Sequence, residues 1–172
     1  MQIKTDVTLN LSPLRRFRNV MRAARRMTVT VGYNFTDQHP AARMSIGALA
    51  AIHSAGNLAR NLPARHVLVA PDSTTSADMR RAVAKEITGL SSDPDIGKYQ
   101  IALLSAGLVY LRFAHNRFAS LSTSGRSWAP LSPAYALYKR KVHGHAMKLR
   151  ITDTLMNALS PGSPGNLLRI NK

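Results

Sequence analysis

This 172-residue sequence predicts an α+β fold: helices packed on a small, mainly antiparallel sheet, with a basic N-terminal helix and a C-terminal tail. Three observations predict it. A capping serine is followed by proline at Ser12-Pro13 and again at Ser132-Pro133, and each pair is a helix start signal. Met27 to Phe35 (MTVTVGYNF) is rich in alternating β-branched and aromatic residues, as a strand requires. Hydrophobic residues make up 45% of the chain, enough for a core. The length fits one folded domain, 28–159, carrying a basic helix or arm, 1–27, and a flexible tail, 160–172.

In the first helix Leu14, Phe17, Met21 and Ala24 recur at spacings of three and four and draw one apolar stripe. At 100° per residue, Arg15, Arg18, Arg22, Arg25 and Arg26 fall in a sector of roughly 100° beside that stripe, with Arg16 outside it. The strand follows, then a turn from Asp37 to Pro40. Ser45 to Ala55 reads as a short helix closed by Gly56, whose Ala48, Ala50 and Ala51 permit close packing. Asn61 to Pro71 is apolar, holds two prolines and is expected to be extended. A second helix is expected from Ser76 to Leu90, capped by Ser76 with Asp78 in its first turn.

Asp93-Pro94 opens the longest helical stretch, to about Leu121. From Ile101 to Leu111 it is apolar nearly all round, so it belongs at the centre of a core or inside an oligomer. Ser122 to Gly125 reads as a loop, and Ser132-Pro133 starts a helix through Lys141. Leu149 to Thr152 reads as a short strand and Asp153 as the cap of a final helical turn. Ser160 to Gly165 (SPGSPG) reads as a hinge, and Leu167 to Ile170 as an edge strand or docking tail.

Charge is the strongest compositional signal. There are 24 Lys and Arg against 8 Asp and Glu, a formal charge of +16. Solubility asks for a net charge of only about 2–8, so a polyanion or an acidic partner surface is expected nearby. The excess is localised: residues 1–26 carry +6, 27–111 carry +1, 112–150 carry +8 and 151–172 carry +1. The first-choice contact residues are Arg15, Arg18, Arg22, Arg25 and Arg26. Arg112, Arg117, Lys139, Arg140 and Lys141 come second. Either set suits a phosphate backbone or an acidic neighbouring subunit.

Groups for catalysis are scarce. With no cysteine, disulfide scaffolds, Cys-ligated zinc, iron–sulfur clusters and thiol catalysis are excluded. The opening residues, MQIKTDVTLNLSPLRRF, lack the apolar core of a secretory signal. The Ile101–Leu111 run is about half of the ~20 residues a bilayer span takes, so a soluble protein with no membrane partner is expected. Asp93 and Asp95 flank a proline and read as helix capping rather than an acid/base pair. His143-Gly144-His145 has metal-compatible spacing, but Asp153 is the only nearby acid and the segment reads as a basic loop. Gly32, Gly47 and Gly56 are isolated and read as packing or cap positions; no phosphate-cradling or GxSxG motif is present. No catalytic residue, cofactor or metal is therefore expected. Tyr135 and Tyr138 interleave with Lys139-Arg140-Lys141 as in RNA-binding segments, but tyrosines three apart on a helix are expected to pack inward.

The segment Trp128-x-Pro130-Leu131-Ser132-Pro133-x-Tyr135, with Lys139 and Lys141, followed by Leu149-x-Ile151-x-Asp153-Thr154 and Leu159, resembles the tail-completion and virion-morphogenesis proteins of Mu-like and lambda-like tailed bacteriophages. Upstream, Val29-x-Val31-Gly32-Tyr33, then Ala48-x-x-Ala51-Ile52-His53-x-x-Gly56 and Leu62-Pro63-Ala64-Arg65-x-x-Leu68, looks like the earlier half of the same family. The order of the pieces matches over 29–159. Leu155 stands where the family has glycine, Ser54-Ala55 where it has an acidic-aromatic pair, and His66-Val67 where it has Pro-Phe.

The resemblance implies a structural neck protein that joins head to tail. It would form an oligomeric ring, expected as a hexamer, between the capsid-side connector and the tail-tube proteins. That ring would surround the DNA path with sequence-independent contacts, in virions assembled in the host cytoplasm. Trp128, Pro130, Leu131, Ser132, Pro133, Tyr135, Asp153 and Thr154 are the implied motif and interface residues. Read from the residues alone, Trp128 is a core anchor, while Pro130 and Pro133 shape a loop and start a helix. The alternative function is a basic nucleic-acid-binding or ribosome-associated protein.

Overall fold

The longest element, a helix running Ile96–Ser124, organises the chain. The computed structural model describes residues 12–40, 43–57, 59, 62–88, 95–124, 128–148 and 153–171. Its elements are α1 (Ser12–Ala24), β1 (Thr28–Tyr33), α2 (Ile46–Ala55), α3 (Ser73–Ile87), α4 (Ile96–Ser124), α5 (Pro133–His143), α6 (Thr154–Asn157) and β2 (Asn166–Asn171). The strands pair antiparallel in register from Thr28↔Asn171 to Tyr33↔Asn166. The fold is α+β, with helices packed on a two-stranded sheet.

α4 lies against both strands and against α1, α3 and α6. Leu111, Ala114, Phe118 and Leu121 form one buried stripe on it, and meet Tyr33, Ile46, Ala50, Val67, Trp128, Leu155, Ala158 and Leu159. Full burial of a side chain such as Phe118 or Leu111 contributes about 1.5–3 kcal/mol. The sheet rests on the helix backbone at Gly107, where a Cβ would lie 2.5 Å from Leu168 Cδ1 and 3.2 Å from Val29 Cγ2. Burial is one-sided toward the start of the apolar run, where Ala102 and Ala106 are buried while Ile101 is 52% exposed.

Several expectations are corrected. α3 starts at Ser73 rather than Ser76, because the Asp72 carboxylate accepts from the Thr75 N–H at 2.7 Å and caps the helix three residues earlier. That hydrogen bond holds the Asp72 carboxyl below its ordinary range. Ser122 to Ser124 continue α4 instead of forming a loop. By contrast, the described part of 61–71 has no helix, in keeping with an extended segment, and is held by the Asn57–Leu62 bridge and by Arg65 N–H donating to His53 O at 2.7 Å. Asp153 precedes α6 in a left-handed conformation, φ 54°, and its side chain makes no capping hydrogen bond. The Leu149–Thr152 strand and the Asp93-Pro94 helix start lie outside the described residues.

The 160–172 segment, expected as a flexible tail, carries half of the sheet in its described part. Its SPGSPG stretch is a series of turns tied at both ends. Ser163 N–H donates to Ser160 O (3.2 Å), and Gly165 N–H donates to the Asp37 carboxylate (2.6 Å). Asn34 N–H in turn donates to Gly165 O at 2.7 Å. Gly165 sits at φ 82°, and a Cβ there would lie 2.6 Å from Ile46 Cδ1, so glycine alone fits.

Candidate functional site

α5 is built by local capping chemistry. Ser132 Oγ accepts from the Tyr135 N–H at 3.4 Å, Pro133 occupies the first turn, and Gly144 ends the helix with its N–H on Arg140 O at 3.0 Å. Tyr135, Tyr138 and Val142, spaced i, i+3, i+7, share one face and are 43%, 55% and 53% exposed. Leu137 is 71% exposed. The Tyr135 and Tyr138 rings stack at 6.1 Å and 19°, and His143 stands edge-on to Tyr138 at 6.5 Å. The expectation that these tyrosines pack inward is therefore corrected.

The buried position on α5 is Lys139, which corrects its place among the candidate contact residues. Its Nζ donates to Met147 O, and that carbonyl turns the lysine inward. No other described helix or strand packs against α5. Its apolar stripe points to water and its covered side is polar, the inverse of a helix seated on its own core.

Cation-to-carbonyl hydrogen bonds hold the loops on either side of α5. Lys148 Nζ donates to Trp128 O at 2.6 Å, and Arg65 Nη2 donates to Ala129 O at 3.3 Å. Trp128 is buried edge-on against Phe118, and its indole N–H donates to His66 O at 3.4 Å. Burial lowers the pKa values of Arg65, Lys139 and Lys148. The Asp153 carboxylate opposes the shift at Lys139, while the Arg65 charge adds to it at both lysines. His53 is likewise pushed down, by burial first and by Arg65 second.

The other basic candidates occupy separate places. Arg15, Arg18, Arg22, Arg25 and Arg26 are exposed on and just after α1, and Arg22 and Arg26 line a shallow hollow of about 290 Å³. The apolar stripe of α1 is only partly used: Ala24 is buried, whereas Leu14 is 65% exposed. Arg112 and Arg117 come together in a cleft of about 750 Å³ beside Thr75, Asp78 and Asn116. Arg117 Nε is buried there with no hydrogen-bond partner among the described residues, and Asp78 pairs with Arg81. Arg140 and Lys141 are exposed on α5.

Among the motif residues, Trp128 anchors the core, Leu131 is half-buried, Pro130 is exposed, and Ser132, Pro133 and Tyr135 build the first turn of α5. Asp153 and Thr154 lead into α6. Arg65, named only within the Leu62–Leu68 motif, and Lys148 are structural cations to which sequence reasoning gave no role. Both lie in irregular segments, where no periodicity marks an inward-facing residue. Among the described residues no group of three His, Cys, Asp or Glu side chains is placed to hold a metal. None of the described helices is long and apolar enough to cross a membrane. The chain matches no protein-family model, no curated protein and no solved structure.

Proposed function

We propose that this chain is a structural subunit of a tailed-phage neck. Copies of it associate into a ring that joins the capsid-side connector to the tail tube and surrounds the DNA path in the virion. The observation that carries the reading is the outward apolar stripe of α5, Tyr135, Tyr138 and Val142, on a helix that no other described element covers. Such a surface gains free energy when a partner removes it from water, about 25 cal/mol per Å² of apolar area. The exposed arginines of α1 suit sequence-independent contact with phosphate, since phosphate contacts position a protein without reading bases. The ordered motifs from Val29 to Leu159 support the neck assignment.

Mass photometry at low and high salt tests the proposal. A discrete multi-subunit species that persists at high salt supports it, and a single-chain species at every salt and protein concentration overturns it. A second reading rests on the stacked, exposed Tyr135–Tyr138 pair beside Arg140 and Lys141, which suits single-stranded nucleic acid. On that reading the chain stays small, and its affinity for RNA or DNA falls steeply with log[salt].

A further inference from the structure

The cleft between α3 and α4, about 750 Å³, has the size of a small-molecule site. At 100° per residue, Arg112, Phe113, Asn116 and Arg117 fall in a sector of roughly 140° on α4. One helix face thus brings two guanidiniums, an amide and an aromatic ring to the cleft. Val109 and Phe113, both half-buried, make its apolar wall. Tyr110 packs against the Phe113 ring at 6.1 Å and 47°, and is itself tied by its hydroxyl, which donates to Val69 O at 2.8 Å. Thr75 and Asp78 of α3 form the opposite wall.

The charged groups there are unequally engaged. The Asp78 carboxylate pairs with Arg81. The Asp72 carboxylate, whose ionised form Arg117 also favours, accepts from the Thr75 N–H. Both acids therefore have partners within the chain. Arg117 Nε, by contrast, is a buried donor with no acceptor among the described residues. Arg81, Arg112 and Arg117 against Asp72 and Asp78 leave one positive charge in excess, and the 112–150 block that supplies two of these arginines holds no acid. An anion in the cleft completes what the fold leaves unpaired.

We propose that this cleft binds a nucleoside phosphate, the phosphate between the Arg112 and Arg117 guanidiniums and the nucleoside against Phe113 and Val109. Guanidinium forks match phosphate oxygens bidentately, and an aromatic ring takes a base by stacking. The cleft is far larger than a phosphate ion needs, and its apolar wall has nothing to offer one. Asn116, between the two arginines in sequence, adds an amide donor and acceptor for the ligand. A free mononucleotide and the terminal nucleotide of a strand share this chemistry. The site stands apart from the α1 arginines and from α5, so it does not depend on ring formation.

Isothermal titration calorimetry on the full-length chain tests this, with 5′-AMP and inorganic phosphate as probes in about 0.15 M salt. AMP is expected to bind once per chain with a Kd below about 1 mM, and phosphate about 10-fold more weakly or worse. Arg112→Gln and Arg117→Gln should each weaken AMP binding about 10-fold or more, the effect of losing a charge-assisted hydrogen bond. Arg117→Lys should weaken it as well, since the charge remains and the fork is lost. Arg80→Gln removes one charge from an exposed position of α3 that faces a different hollow, and should leave AMP binding unchanged. Circular dichroism checks each fold. Arg112 is exposed, so Arg112→Gln keeps the test decisive if an Arg117 variant does not fold.

No saturable AMP signal up to about 10 mM overturns the proposal. Equal weakening by Arg80→Gln overturns it too, because binding then follows net charge alone. Equal affinity for AMP and phosphate overturns the nucleoside contact. A 5′-phosphorylated oligo-dT strand separates the two sources: binding tighter than AMP and sensitive to Arg112→Gln identifies a strand terminus, and binding no tighter identifies the free nucleotide. A chain that never associates yet binds AMP in this pattern overturns the ring reading and upholds this site.

Discussion

The indole of Trp128 stands edge-on to the Phe118 ring, 5.1 Å between centroids at 89°, and this contact fixes the loop that leads into α5. Both residues are buried, Phe118 completely. Trp128→Ala is expected to destabilise the fold by about 3–5 kcal/mol through reduced burial and a residual cavity. Urea unfolding followed by circular dichroism measures it, because the substitution removes the only tryptophan. A loss within 1 kcal/mol, on the order of a surface change, would remove Trp128 from the core.

Tyr33 joins the sheet to α6. Its hydroxyl donates to Leu155 O at 3.0 Å across a buried contact. Tyr33→Phe keeps the ring and leaves that carbonyl without this donor, at an expected cost of about 1–2 kcal/mol. The unfolding midpoint in urea reads the change, and an unshifted midpoint would show that water replaces the hydroxyl.

Stability is expected to climb with pH and then turn over. Lys139 and Lys148 titrate below their ordinary 10.5 in the folded chain because burial disfavours the charged amine. Between the folded and unfolded values the unfolded chain binds more protons, so raising pH favours the fold. His53, lowered from 6.5, acts in the same direction at lower pH. Tyr33 and Tyr110 act oppositely: burial raises both above 10.0, so at higher pH the unfolded chain gives up its phenolic protons first. Thermal melts should therefore rise as pH approaches the ordinary lysine value of 10.5, with the tyrosines opposing that rise above about 10.0. Lys139→Met should flatten the rise; a wild-type midpoint that declines steadily over that range would contradict the account.

The α1 arginines are exposed, so their role can be separated from folding. The triple change Arg18→Gln, Arg22→Gln and Arg25→Gln is expected to leave stability within about 0.5 kcal/mol. Binding to duplex DNA should weaken, and the slope of log K against log[salt] should become shallower by about 0.9 for each phosphate that the chain no longer neutralises. Filter binding over a salt series reads both. An unchanged slope would assign this face to an acidic protein neighbour instead.

Where structure depends on near neighbours in sequence, the residues announced it. Ser45, Ser132 with Pro133, and the alternating Thr28–Tyr33 run gave α2, α5 and β1 close to their observed bounds, because capping and pleating are local. α3 began early since Asp72 and Ser76 compete as caps and only the fold reveals that Asp72 reaches the Thr75 amide. The orientation of α5 was hidden for a different reason. Pattern alone turns Tyr135 and Tyr138 inward, and the carbonyl that holds Lys139 belongs to Met147, beyond the end of the helix. The arginines of α1 and Arg140 and Lys141 on α5 were legible as exposed charge, whereas the burial of Lys139, Arg65 and Lys148 depends on loops whose paths no periodicity encodes.

The pairing of Thr28 with Asn171 also carries a consequence in time. These partners are 143 residues apart, so β1 leaves the ribosome long before its strand mate has been translated. At about 5–20 residues per second, that interval is on the order of ten to thirty seconds. During it, Val29, Val31 and the Gly107 face of α4 lack the covering that Leu168 will later give them. The nascent chain is then at its most aggregation-prone, and a chaperone that shields β1 has its window there.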